Sequence, residues 1–422
     1  MTDSADVAQQ RLAAIVGSDR IRAATGKDAV DGIRPRWVVE PEDAAGVAKA
    51  LAYANESGMH VVARGGGTKL SWGAPPPRSL DFILSTARLN RVIEHAAADM
   101  TATVQAGCTV ECFQHALAAQ NQRLALDPLW PDRATIGGIL ATNDFGSLRG
   151  GYGTLRDLLI GATIALPDGT RARSGGKVVK NVAGYDLQKL MIGSFGTLAV
   201  IVEATFRLHP IPLAFRNLQC TVPSRCLDQL TSVLNELSLL LVSAQINIDG
   251  SASIELALRV ESVPEAIDHK CRSVRQAIET LGIQVREGAD NCWEAREKLF
   301  DLSDATVCRL GLLASQWPDL YATLMQWNAE HQIQGRLIAQ AAGGGLLAVT
   351  GPTNSIVNII NELRSNLSAK GGSAVVLKSP PVVKNQLDVW GPAGDSLALM
   401  KRIKAQFDKN NILAPGRFIG GI

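Results

Sequence analysis

Apolar positions become regular at Trp37 to Val39, where WVVE reads as a strand. Pro41 and the acidic residues around it then open a helix with Val47, Ala48 and Leu51 on one face. A second strand is expected at His60 to Ala63, running directly into RGGGTKLSWG. β-Rich segments recur at 81–84 and 101–105, with a helical stretch near 111–120. A long glycine-punctuated region follows and closes in AVIVEATFRL. HPIP at 209–212 is expected to end this lobe, because two prolines in four residues oppose both helix and sheet pairing.

Beyond Pro212 the texture changes. RNLQCTV (216–222) reads as a strand, and Leu227, Leu230, Leu234, Leu237 and Leu241 recur at helical spacing before a strand at SAQINI. SIELALRV alternates, and Ile267, Cys271, Val274, Ile278 and Leu281 mark a second helix. RLIAQAA and GLLAVTG predict a hairpin around Gly343 to Gly345, followed by a helix through Ile356, Ile359, Ile360, Leu363 and Leu367 and a strand at SAVVLK. These β-α-β units with antiparallel returns predict an α+β lobe over 213–378. An amphipathic helix at 395–408 precedes DKNNILAPGRF. There is no repeat of period 20 to 50 and no low-complexity linker.

At roughly 100–200 residues per domain, 422 residues predict two to four lobes, and 46% hydrophobic content is ample for their cores. Lys plus Arg number 42 and Asp plus Glu 40, without a charged block, which argues against nucleic-acid binding through bulk electrostatics. MTDSADVAQQ has no signal-peptide pattern and no run of 18 apolar residues occurs, so a cytoplasmic protein is expected, reaching a membrane only through partners. Seven cysteines without C-x-x-C fit neither a disulfide framework nor an iron–sulfur ligand run; Cys108 and Cys112 alone are close enough to share a helix face. Six scattered histidines exclude a histidine-built metal site on one segment, though not one assembled from distant segments, and no metal is assigned.

Glycine changes the picture most. Of 39, 19 lie between Gly58 and Gly196. In VVARGGGTKLSWG, three successive glycines let backbone N–H groups turn to one side, the kind of nest that holds phosphate oxygens; a plain turn between strands is the competing reading. ATIGGILATNDFGSLRGGYGTLRD (134–157) places Thr135, Gly137, Gly138, Ala141, Asn143 and Gly146 at small-residue spacing, as needed where backbone passes close to a bulky ligand. Two such loops with little net charge between them suit a dinucleotide held mainly by amides. Gly193 and Gly196 form a turn into the last strand of the lobe. Two decoys fail on context: GGGLLA (343–348) fits G-x-G-x-x-A but leads into VTGP rather than a helix, and Asp168-Gly169 is a hairpin turn.

The ordered set ARGGGT, LDP, ATIGG, ATN, YGTLRD, LPDGT, GGKVVKNVAGYDL and GSFGTLAVIVEATFRLHPIP resembles the FAD-binding domain of the vanillyl-alcohol oxidase / p-cresol methylhydroxylase family. With TKLSWG, EHAAADMT and the closing PGR, it is more closely similar to the FAD-binding subunit type of bacterial glycolate oxidases. The resemblance implies an α+β protein: an N-terminal helical segment (1–35), a two-subdomain FAD-binding domain of the p-cresol methylhydroxylase (PCMH) type (36–212), an α+β cap of ferredoxin-like repeats (213–378) and a C-terminal segment (379–422) returning to the FAD domain. It implies that Arg64, Gly65, Gly66, Gly67 and Thr68 wrap the FAD pyrophosphate. Thr135, Gly137, Gly138, Ala141, Asn143 and Gly146 would face pyrophosphate and flavin from the other side, Val200 and Ile201 would lie along the adenine or ribityl part, and Arg417 near the N1–C2=O edge would stabilise the reduced ring. Phe195 and Ala199 depart from the family's G-S-E-G-T-L-G form. Gly67 stands where a flavin-linking histidine is found in relatives, so a non-covalent FAD is expected.

The function implied is the FAD-binding subunit of a glycolate (2-hydroxy acid) dehydrogenase or oxidase complex, with a second FAD subunit and an iron–sulfur subunit as partners. His269 and His331 are far apart in the cap, without the histidine cluster of substrate-oxidising relatives. No catalytic base is assigned, and substrate oxidation is expected mostly on the partner. A self-sufficient FAD oxidase of another small alcohol, sugar acid or lactone, and a non-catalytic assembly subunit, remain alternatives.

Overall fold

The computed structural model describes residues 5–76, 79–177, 184–249, 254–330 and 332–422. Residues 178–183 of the GGKVVKNVAGYDL motif and His331 lie outside the described residues. The chain divides into two compact units. One comprises Met1–Phe145, Thr154–Ile211 and Pro392–Ile422, the other Gly146–Gly153 and Pro212–Gly391.

The first unit holds two main sheets. In the four-stranded one the order is Ile21–Ala23, Trp37–Val39, Phe82–Ser85, Val61–Arg64. Phe82–Ser85 pairs in parallel with both neighbours and is buried at every position, so it reads as an unbroken apolar run rather than an alternation. Ala44–Ser57 is the crossover helix; Asp43 Oδ1 caps it by accepting from Gly46 N at 2.7 Å, and Gly58 ends it at φ 66°. Val47, Leu51 and Ala54 pack into a core that Ala8, Leu12 and Val16 of the N-terminal helix Ala5–Val16 complete. The second sheet has five antiparallel strands in the order Val92–Ala96, Thr101–Gln105, Val200–Arg207, Leu159–Ala165, Arg171–Gly175. The C-terminal residues return to the first sheet: Val61 N donates to Ile412 O and Ala414 N to Val61 O, both at 2.8 Å.

HPIP behaves differently from the expectation that it pairs with nothing. His209 and Pro210 form a two-residue antiparallel ladder with Arg123 and Gln122. A proline tolerates this because each strand of a two-stranded ribbon is an edge.

The second unit is one eight-stranded antiparallel sheet in the order Arg286–Glu287, Ala214–Val222, Ile254–Ser262, Ser243–Ile248, Gln334–Gln340, Gly345–Thr350, Thr306–Gly311, Ser373–Lys378. In chain order each half runs β-α-β-β-α-β, the ferredoxin-like arrangement, and the halves join where Ser243–Ile248 pairs with Gln334–Gln340. Helices Leu227–Glu236, Pro264–Glu279, Trp317–Glu330 and Thr353–Ser368 bury the stripes that periodicity marks, such as Ile267, Cys271, Val274 and Ile278. The leucine spacing predicts one helix through Leu241, whereas the α-helix stops at Glu236 and a tighter 3-10 turn, Leu237–Leu239, completes it.

Candidate cofactor-binding site

Strand Val61–Arg64 ends at the glycine loop, and the loop forms one wall of a cleft open to solvent. Arg64, Gly65, Gly66, Gly67, Thr68, Thr135, Gly137, Gly138, Ala141, Val200, Ile201 and Arg417 all line it, so segments more than 300 residues apart in the chain converge there. Asn143 and Gly146 are not part of the wall. Asn143 ends helix Ile136–Thr142 in the left-handed conformation with its Cβ 3.5 Å from the position a Cβ on Gly193 would take. Gly146, at φ 87°, opens the segment Gly146–Gly153 that belongs to the second unit.

The glycines serve two different needs. A Cβ on Gly65 would lie 1.9 Å from Thr135 Oγ1 and one on Gly66 1.8 Å from Arg133 O, so these two are glycine because the loop presses against the 133–135 backbone. Gly137 is likewise constrained from inside, its N donating to Ala106 O and its missing Cβ 2.9 Å from Ala106 Cβ. Gly67 is glycine for its conformation, φ 75°. Among the described residues, the amides of Gly65, Gly66, Gly67 and Thr68 find no acceptor. A run of unused backbone donors along a cleft wall fits the pyrophosphate of a dinucleotide.

Three charged side chains of this region are committed to the protein itself. Arg64 Nη1 donates to Asp28 Oδ1 at 2.7 Å, and Asp28, 3% exposed, also binds Arg22 twice at 2.8 Å and accepts from Thr25 N and Oγ1. Arg22 first, and then Arg64 and Thr25, hold the Asp28 carboxyl far below the usual range despite its burial. Arg64 therefore anchors the root of the glycine loop, and the loop offers backbone.

Arg417, 4% exposed, donates from Nη2 to Leu70 O at 2.7 Å and Trp72 O at 2.5 Å, and from Nε to Ala74 O at 3.3 Å. Desolvation pushes its pKa down to about 10, with Asp31 acting in the opposite sense. It clasps the stretch after the glycine loop to the C-terminal residues. A second clasp, Lys404, donates to Thr197 O at 2.8 Å, Leu413 O at 3.0 Å and Asp408 Oδ2 at 2.6 Å. Burial pulls its pKa down while Asp408 opposes this. Asp408 also accepts from Ile412 N and Leu413 N, which fixes the strand-entry turn and the returning C-terminus together.

Sequence reasoning did not single out Lys69. The residue belongs to the cleft lining and its side chain is 4% exposed, with Nζ 3.0 Å from Asp144 Oδ2, 3.5 Å from Thr68 Oγ1, and 5.6 Å and 5.3 Å from the ring centroids of Trp72 and Trp130. The TKLSWG segment contains both Lys69 and Trp72, but nothing in the sequence links it to Asp144 or Trp130.

In the second unit, Glu261 accepts from Tyr152 Oη at 2.5 Å and from Arg259 Nε at 2.8 Å, and the Arg259 guanidinium stacks 4.2 Å from the Phe215 centroid. His269 is exposed. Among the described residues, no three His, Cys, Asp or Glu side chains converge as metal ligands, and no helix is long and apolar enough to cross a membrane.

Residues 35–175 match the family model described as an FAD binding domain, and the chain carries that domain. The glycolate oxidase subunit GlcD of Bacillus subtilis (strain 168) is 26% identical over 91% of this chain and 88% of its own length. The D-lactate dehydrogenase of Archaeoglobus fulgidus is 39% identical, but over 41% of this chain and 38% of its own length, so that likeness spans under half of either protein. The structure of p-cresol methylhydroxylase with substrate bound superposes with a TM-score of 0.79 at 17% identity, covering 98% of this chain and 96% of that one. The fold is therefore the α+β PCMH-type architecture.

Proposed function

We propose that this chain, an FAD-dependent oxidoreductase built on a PCMH-type FAD-binding domain, is the FAD-binding subunit of a complex that oxidises glycolate or a related 2-hydroxy acid. The observation that carries the reading is the cleft, in which four successive amides without acceptors face small residues of a second loop. In this reading Gly65, Gly66, Gly67 and Thr68 hold the pyrophosphate through backbone N–H, with Thr135, Gly138 and Ala141 opposite. Val200 and Ile201 lie along the adenine or ribityl part. Arg417 shapes the wall by holding three carbonyls. No histidine stands in the glycine loop, so the cofactor is held without a covalent bond.

Bound FAD supplies a hydride acceptor for the substrate carbon. Around it, this chain's own residues position and shield. The likeness to the Bacillus subtilis glycolate oxidase subunit over nearly the full length of both chains supports the 2-hydroxy-acid assignment. Partners would be a second FAD subunit and an iron–sulfur subunit, through which a cytoplasmic complex would reach a membrane. Substrate oxidation would fall mostly to the partner, a reading supported by the wide separation of His269 and His331 along the cap sequence.

The test is to purify the chain alone and with its native companions, then record flavin absorbance and its bleaching by glycolate. We expect a yellow chain that bleaches with glycolate only in the complex. Bleaching of the isolated chain would establish a self-sufficient dehydrogenase, and a colourless chain would establish an assembly subunit.

A further inference from the structure

The amides of Gly65 to Thr68 donate to no acceptor among the described residues, so their alignment depends on what holds the chain to either side of them. Before the stretch, Arg64 is tied to Asp28. Along it, the loop is pinned to both ends of helix Ile136–Thr142. At the start of the helix, Gly65 and Gly66 approach Thr135 and Arg133 so closely that neither has room for a Cβ. Just past its end, Lys69 Nζ lies 3.0 Å from Asp144 Oδ2. Seven helical residues rise roughly 10 Å, so the two pins are well separated.

The second pin is firmly built. Asp144 N donates to Ile139 O at 3.0 Å, and Asp144 Oδ2 accepts from Leu129 N at 3.1 Å. The Lys69 ammonium lies 5.6 Å and 5.3 Å from the Trp72 and Trp130 ring centroids and 3.5 Å from Thr68 Oγ1. Trp130 sits at φ 54°, a conformation that costs a bulky residue free energy, and its carbonyl accepts from Arg133 N at 3.0 Å and Ala134 N at 2.6 Å. One strained turn therefore supplies both a ring beside Lys69 and the backbone that Gly66 approaches.

We propose that Lys69 and Asp144 are positioning residues for the FAD pyrophosphate, a pair that fixes the spacing of the two glycine loops and keeps the Gly65 to Thr68 amides aligned. This rests on the proposal that the cleft holds FAD. Two observations favour positioning over a direct charge on the phosphates. The ammonium is already neutralised by a carboxylate, and its contact with the loop is the Thr68 hydroxyl, at the end of the amide run. Stability alone gives no reason for the pair, because replacing a buried ion pair by apolar groups of similar volume is often neutral or stabilising. A loop ordered in advance binds more tightly because less freedom is lost on binding.

The test measures the affinity of the apoprotein for FAD and for riboflavin, which lacks the phosphates, together with its melting temperature. Lys69→Met/Asp144→Leu removes both charges without stranding either, and should melt at or above the wild-type temperature. It should bind FAD about tenfold more weakly and riboflavin within about threefold of wild type. Lys69→Arg keeps the pair and should hold FAD affinity within about threefold. Asp144→Asn removes only the negative charge and should also weaken FAD binding, which keeps the test open if the double variant does not fold. Unchanged FAD affinity in the double variant and in Asp144→Asn overturns the proposal. So does an equal loss for FAD and riboflavin, which would make the pair a general support of the cleft. Tighter FAD binding by Asp144→Asn overturns it too, by placing the freed ammonium on the phosphates. A wild-type chain that binds no FAD overturns the cofactor reading itself.

Discussion

The cap and the cofactor unit solve the same problem, burying a sheet, by different means. In the cap, helices lay apolar stripes on a sheet whose two halves repeat one ferredoxin-like plan, and the covered positions alternate along strands such as Ile254, Leu256, Leu258 and Val260. Both units carry cationic clasps between separate segments, such as Arg364 on Ala374 O and Val389 O in the cap, but in the cofactor unit they gather around the cleft: Lys404 reaches Thr197 O, Arg417 reaches Leu70 O, and Arg64 reaches Asp28. The difference teaches that a cleft needs fixed, unequal surroundings. A repetitive apolar core supplies stability, but it places no particular atom against a ligand.

The comparison breaks most visibly at Asp408. Asp408→Ala strands the Lys404 ammonium among carbonyls and releases Ile412 N and Leu413 N, and should cost about 3–5 kcal/mol. In the cap, Asp319→Ala breaks an exposed pair with Lys370 and should cost at most about 1 kcal/mol. Thermal or urea unfolding of the two variants measures this directly. Equal losses would mean that the charged clasps of the cofactor unit are ordinary surface-strength contacts.

Smaller, but closer to function, is Gly66→Ala. Its Cβ would meet Arg133 O at 1.8 Å, so the loop must move away from the 133–135 backbone, at about 1–3 kcal/mol. If these four amides hold the pyrophosphate as proposed, displacing them should weaken FAD binding at least ~tenfold, about 1.4 kcal/mol, read as flavin content after dialysis. Gly371→Ala in the cap faces open space at φ 73° and should cost a similar ~1–2 kcal/mol through backbone strain alone. Its flavin content should match wild type. Loss of flavin in both variants would reduce the glycine-loop argument to global destabilisation.

The same contrast explains what the sequence could reveal. Period-2 and helical spacing are local, so strands such as Thr101–Gln105 and Ser373–Lys378 and the helix through Ile356 and Leu367 were legible from a few neighbouring residues. The glycine loops were legible as exceptions to composition, and they do line one cleft. What the glycines are for was only half legible. Gly65, Gly66 and Gly137 answer to Thr135, Arg133 and Ala106, partners that no spacing rule identifies. Asp28, Lys69, Asp144, Lys404 and Asp408 passed unnoticed because each looks like an ordinary surface charge until the chain brings its partner alongside.

Asp28 gives the narrowest test, confined to acid. Arg22, Arg64 and Thr25 hold its carboxyl well below the unfolded value of about 3.9. A carboxylate with a depressed native pKa contributes stability that is fully present above the unfolded pKa and is lost as pH falls toward the native one. Wild type should therefore exceed Asp28→Asn in melting temperature by a constant margin from pH 7 to about pH 5, and the margin should shrink as pH drops through 4 toward 3. Because Arg22 is half exposed and its share is screened, added salt should narrow the margin at neutral pH only in part, leaving the Arg64 contribution. A margin that stays constant down to pH 3 would show that Asp28 holds the root of the glycine loop by shape and neutral hydrogen bonds. The cofactor unit would then resemble the cap more closely than its buried charges indicate.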